Sequence, residues 1–165
     1  MTVKVNDKVW RDLKRKLGKS INRGVRVGVL SSKGADASHD SHKASRPGKG
    51  SEDISMIELA AIHEFGSPAA GIPKRSFLVD TFKGNQREME AFALKLAKGI
   101  ILNRFSHLKA LEMLGLWGVK QIKNRITSGD GIAPKNADST IAKKKSDRPL
   151  VDTGRLINAI NHEVE

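Results

Sequence analysis

The sequence predicts an α+β fold, a small antiparallel sheet packed by two long helices with a long flexible loop, and three observations lead to it. Aromatic residues make up only 4% of the 165 and none is tyrosine, so a core must come from Leu, Ile, Val and Ala, which favours helices over a β-sandwich. Val25, Val27 and Val29 alternate with Arg26 and Gly28 and end in Leu30, the period of two of a half-buried strand. Two stretches beyond residue 75 instead repeat apolar residues at three- and four-residue steps, the period of amphipathic helices. The length suits a single domain over residues 1–165.

Asn6 or Asp7 can cap a first helix, Asp7 to Leu17, with Val9, Trp10, Leu13 and Leu17 as its apolar stripe and Gly18 as its stop. The strand at Val25 to Leu30 follows. Residues 31–53 contain no large apolar side chain, so this segment buries too little surface to offset its ordering entropy and is expected to be a mobile polar loop. Ser55 to Phe65 carries Met56, Leu59, Ala60 and Ile62, with Gly66 just past the end, the pattern of a helix closed by a glycine. Pro68 prevents its continuation.

The Gly71-Ile72-Pro73 turn re-aims the chain. From Arg75 onward, Leu78, Phe82, Met89, Phe92, Leu96 and Ile100 predict a long amphipathic helix, interrupted near Gly84. A second long helix, Phe105 to Thr127, sets Leu108, Leu111, Gly115, Val119, Ile122 and Ile126 on one face, with Trp117 turned partly away. Gly115 and Gly118 each cost roughly 1 kcal/mol against alanine in a helix. Close approach of another backbone is the expected compensation, and the two long helices are expected to pack as a hairpin, within the chain or across a subunit boundary.

Residues 128–149 read as a polar surface segment, punctuated by glycine and proline, with one helical turn around Ser139 to Lys144. The run from Arg148 to Ile160 then combines a rigid turn at Pro149, an N-cap at Asp152 for the amides of 154 or 155, and a short helix whose Leu156 and Ile160 share a face. Ile160 to Val164 alternates again, which predicts a closing edge strand beside Val25 to Leu30. A further strand is expected in the same sheet, at no assigned position.

No constellation of catalytic, cofactor-binding or metal-ligating residues stands out. His63-Glu64 resembles the start of a zinc-protease helix, but the second histidine would fall at residue 67, which is Ser67. A histidine satisfied by a hydrogen bond at a partly buried site is the better account. A small hydrolase or toxin using His63 and Glu64 lacks the partner residues it needs. His39 and His42 lie with Asp36 and Asp40 in the polar loop, where a solvated surface is the simpler reading. Gly129-Asp130-Gly131 is not followed by the Gly-Lys-Ser/Thr of a phosphate-binding loop, and no Gly-x-Ser-x-Gly elbow occurs. There is no cysteine, hence neither a disulfide framework nor a thiolate site. Met1 to Trp10 lacks an apolar leader core, so the expectation is a protein that is neither secreted nor membrane-embedded.

Thirty Lys and Arg against eighteen Asp and Glu give a net charge of +12, a field that accelerates association with polyanions. Lys143, Lys144, Lys145 and Arg148 form the densest basic cluster. Its phosphate contacts would give salt-sensitive, sequence-independent DNA binding, and it could equally meet an acidic protein surface. Aromatic residues do not interleave with the basic ones as they do in single-strand binders.

Four segments occur in the order of a known pattern: His63-Glu64-Phe65-Gly66, Gly71-Ile72-Pro73-Lys74-Arg75-Ser76-Phe77-Leu78, Ser139-Thr140-Ile141-Ala142-Lys143-Lys144-Lys145, and Leu150-Val151-Asp152-Thr153-Gly154-Arg155-Leu156. Together they resemble the tail-component and tail-completion proteins of long-tailed bacteriophages, which sit at the neck. The resemblance implies a virion structural protein and no enzyme. It would act in head–tail joining or tail completion as a homo-oligomeric ring between the portal-side connector and the tail terminator or tail tube, with packaged DNA in its channel. Assembly would take place in the host cytoplasm. Glu64, Phe65, Gly66, Pro73, Arg75, Phe77, Asp152, Thr153, Gly154 and Leu156 would be its structural residues, and the basic cluster its DNA or partner contact. The competing reading is a nucleic-acid-binding module that works through its basic surface.

Overall fold

The computed structural model describes residues 23–30, 54–136, 150 and 154–165, together with Arg11, Arg15 and Gly18. Its elements run β1 (Val25–Val29), α1 (Met56–Phe65), a 3-10 turn (Pro68–Ala70), α2 (Val79–Gly84), α3 (Gln86–Ile101), α4 (His107–Ser128), α5 (Arg155–Ala159) and β2 (Ile160–Val164). The α+β class is as expected: a small antiparallel sheet with helices packed on it. The loop at 31–53, most of the helix Asp7–Leu17, the turn at 139–144 and Pro149 fall outside the described residues. Gly18 is itself helical, so it does not stop the first helix.

The closing strand pairs as its alternation requires. β2 runs antiparallel to β1, with Val25 opposite Val164, Val27 opposite His162 and Val29 opposite Ile160. Among the described residues the sheet has these two strands, so the expected third is absent there. Arg26 lies opposite Glu163 on the solvent face and forms ion pairs with Glu163 and Glu165. The other face lies on α4. A two-stranded ribbon is marginal alone, and here the long helix supplies the apolar surface that it lacks.

The helix expected from Arg75, with an interruption near Gly84, is two helices divided at that point. α2 begins at Val79, and Asn85 separates it from α3. The Thr81 hydroxyl donates to the Phe77 carbonyl, while the Asn85 amide group donates to the Thr81 carbonyl at 2.8 Å. The Asn85 side chain thus shares the Thr81 carbonyl with its own backbone amide, which donates to it at 3.0 Å. α3 and α4 form the expected hairpin. Trp117 packs on α3, where it stacks on Phe92 with ring centroids 6.3 Å apart. Leu108, expected on the inner face, is 48% exposed.

Phe77, Ile122, Ile126 and Ile160 have no solvent exposure and form one cluster with Ala60, Ile132, Leu150 and Leu156. Full burial of each such side chain is worth about 1.5–3 kcal/mol. Leu150 takes part despite a left-handed φ of 64°, a conformation that costs about 1–2 kcal/mol.

The helix glycines admit side chains rather than another backbone. A Cβ on Gly115 would lie 2.3 Å from Cδ2 of His162, and one on Gly118 would lie 3.2 Å from Cγ2 of Val27. Both partners belong to the sheet, so the two glycines are slots that let β1 and β2 settle on α4. Gly115→Ala is therefore expected to destabilise the fold by about 1–3 kcal/mol through overpacking, in spite of alanine's better helix propensity. Gly84→Ala, where a Cβ meets nothing within 4 Å, should be neutral or stabilising by a few tenths of a kcal/mol. Chemical denaturation of the two variants checks the contrast.

Candidate functional site

The first two of the ordered segments meet at one carboxylate. α1 starts with a capping box: the Ser55 hydroxyl accepts from the Glu58 amide at 3.2 Å and the Glu58 side chain accepts from the Ser55 amide at 2.9 Å. It ends at Gly66, whose φ of 80° is the left-handed value expected of a glycine stop. That glycine has a second reason, because a Cβ there would sit 2.8 Å from the Lys74 amide nitrogen. The chain turns back through reciprocal Ser67 and Ile72 backbone hydrogen bonds of 2.8 and 2.9 Å, and the Arg75 amide donates to the His63 carbonyl at 2.8 Å. Residues 67–76 thereby fold back along the last turn of α1.

This return brings the start of α2 onto Glu64, which is 3% exposed. Oε1 accepts from the Ser76 hydroxyl at 2.6 Å and the Val79 amide at 3.1 Å. Oε2 accepts from the amides of Phe77 and Leu78, both at 2.9 Å. Those amides precede or open a helix and have no partner in its own ladder. The anion satisfies them and also meets the positive end of the helix dipole. Burial pushes the Glu64 carboxyl up, but the Ser76 hydroxyl and the Leu78, Val79 and Phe77 amides outweigh it and hold it below the usual carboxylate range.

Arg75 extends the joint. Its Nε donates to the Pro134 carbonyl at 3.0 Å and its Nη2 to the Lys135 carbonyl at 3.4 Å. Both carbonyls belong to the segment beyond α4. Burial lowers the proton affinity of the Arg75 guanidinium. Phe77 inserts fully into the core, where it joins Ala60 of α1 and Leu156 of α5.

The remaining predicted residues divide. Phe65 does not join the core: it is 71% exposed. Pro73 is exposed in the returning segment. Gly154 makes no close approach, since a Cβ there meets nothing within 4 Å, and its requirement is its φ of 76°. It is also the N-cap of α5, which begins at Arg155, so the capping position lies two residues beyond Asp152. Asp152 and Thr153 lie outside the described residues, as do Lys143, Lys144, Lys145 and Arg148.

Two groups escaped sequence reasoning. The Glu64 cap joins residues 12 to 15 positions apart, beyond the local spacings of capping patterns. The other is a half-buried pair of His162 Nε2 and Glu112 Oε2 at 2.8 Å, which ties β2 to α4. Gly115, three residues after Glu112, was its available signal, as the slot that the imidazole fills.

Among the described residues no group of three His, Asp or Glu is arranged to hold a metal ion. A surface depression of about 770 Å³ over the junction of α2 and α3 is lined by Lys83, Gly84, Gln86, Arg87, Glu88 and Glu90. This lining lacks the apolar walls usual for small-molecule sites. No described helix is long and apolar enough to cross a membrane. No known protein family, curated protein or solved structure matches the chain.

Because folding lowers the Glu64 pKa, its stabilisation is complete above the unfolded-state value of about 4.3 and is lost as pH falls through the folded-state value. Glu64→Gln places an amide donor against backbone donors and should cost about 2–4 kcal/mol at neutral pH. It should also reduce the loss of stability between about pH 5 and 3. Denaturation midpoints of both proteins across that range measure both effects.

Proposed function

We propose that this protein is an architectural component of a long-tailed bacteriophage particle, acting in head–tail joining or tail completion as a ring of identical subunits at the neck. One observation carries the reading. Three of the four segments whose order resembles that family, all but the one at 139–145 outside the described residues, also come together in the fold: Glu64 of the first binds Ser76, Phe77 and Leu78 of the second, and Phe77 shares a core with Leu150 and Leu156 of the last. Residues so used hold helices and sheet together, a role suited to a subunit whose surfaces do the work. Its partners on this reading are further copies of itself, the connector on the head side and the tail terminator or tail tube on the other. The particle neck is its final location, after assembly in the host cytoplasm.

A net charge of +12 supports a second reading, a nucleic-acid-binding module. It also fits a ring lumen that faces packaged DNA. The two differ in what the isolated chain does. A module should bind duplex DNA tightly without any ring, and a site that uses three phosphates should weaken with salt at a log–log slope of about −2.7. The neck reading predicts that particles made without the protein carry unattached or incomplete tails in electron micrographs and are not infectious. Normal infectious particles would overturn it.

A further inference from the structure

The two long helices expose matching faces. On α3, Glu90, Leu94 and Lys98 follow at four-residue steps, and on α4, Glu112, Leu116 and Lys120 do the same. Residues four apart lie on one side of a helix. Leu94 is 59% exposed and Leu116 56%, among the larger apolar exposures of the described residues, and Leu102 and Leu108 add 60% and 48% where the hairpin turns. Glu90, Lys98 and Lys120 are exposed, and the Glu112 side chain is 45% exposed beside His162. Neither lysine has an ion-pair partner among the described residues.

We infer that the α3 face of one copy docks antiparallel on the α4 face of the next, as the subunit contact of the ring proposed above, on which this inference rests. Antiparallel apposition with Leu94 on Leu116 sets Glu90 against Lys120 and Lys98 against Glu112. The same register brings Leu102 over Leu108. At these two pairs opposite charges flank an apolar centre, a complementarity that favours one register over others. Glu112 can accept from a lysine while it holds His162, because a carboxylate has about four acceptor sites. The contact joins unlike faces and leaves an α3 and an α4 face unused at the ends of each pair, so it propagates head to tail and can close into a ring.

A charge swap on the full-length chain tests this, followed by sedimentation velocity and light scattering over a range of concentrations at low salt. Glu90→Lys and Lys120→Glu should each weaken self-association by about tenfold or more, and the double variant should restore it to within about threefold. Monomer melting temperatures should stay unchanged, because both side chains are exposed. If the wild type forms rings and neither swap alters them, the contact lies elsewhere and only the ring reading survives. If Lys98→Glu rescues Glu90→Lys and Lys120→Glu does not, the faces pair α3 to α3 about a two-fold axis and the inference fails. A wild type that stays monomeric throughout overturns both the contact and the ring.

Discussion

The buried Glu64 carboxylate is the constraint on which the rest of the fold depends. Its two oxygens receive four donors from residues 76–79, and those contacts decide where α2 starts and where Phe77 points. Were the carboxylate absent, three amides and a hydroxyl would lose their acceptor in a site that water does not reach freely, a situation more costly than the modest net gain of any one hydrogen bond. The turn at Gly66 and the Ser67–Ile72 bridge do the preparatory work, since they lay the returning segment along α1 before the helix begins. Arg75 then ties the same segment to the carbonyls after α4. A single anion thus links helix α1, helix α2 and, through Phe77, the core under the sheet.

The sheet has a comparable dependence on α4. Two five-residue strands bury little by themselves, and their stability comes from the helix face beneath them. Gly115 and Gly118 lower that face where His162 and Val27 descend. The His162–Glu112 contact fixes the strand laterally. α5 and β2 are continuous, so Leu156 and Ile160 bring the end of the described chain into the cluster that holds Phe77. The joint at Glu64 and the sheet on α4 are two sides of one core.

Much of this architecture was legible in the residues. The valine alternation marked β1, the closing alternation marked β2, and their pairing followed because each strand offered one apolar face. Ser55 and Gly66 marked the ends of α1 through local chemistry. What escaped was non-local. Glu64 looked like half of a metal motif, because its true partners lie a turn and a bridge away. The exposure of Phe65 was equally hidden: the period of α1 turns it outward while Glu64, its neighbour, turns in.

The functional reading joins these two levels. Segments that look like independent short motifs acquire a common structural role once Glu64, Arg75, Phe77 and Leu156 are seen to hold one joint. The most direct test of that account is an NMR titration of the Glu64 side-chain carboxyl carbon in the folded protein. The account predicts a midpoint below that of an unperturbed glutamate, about 4.3, with the Phe77 and Leu78 amide signals shifting in step. A midpoint at or above the unperturbed value, with those amides indifferent to it, would contradict it.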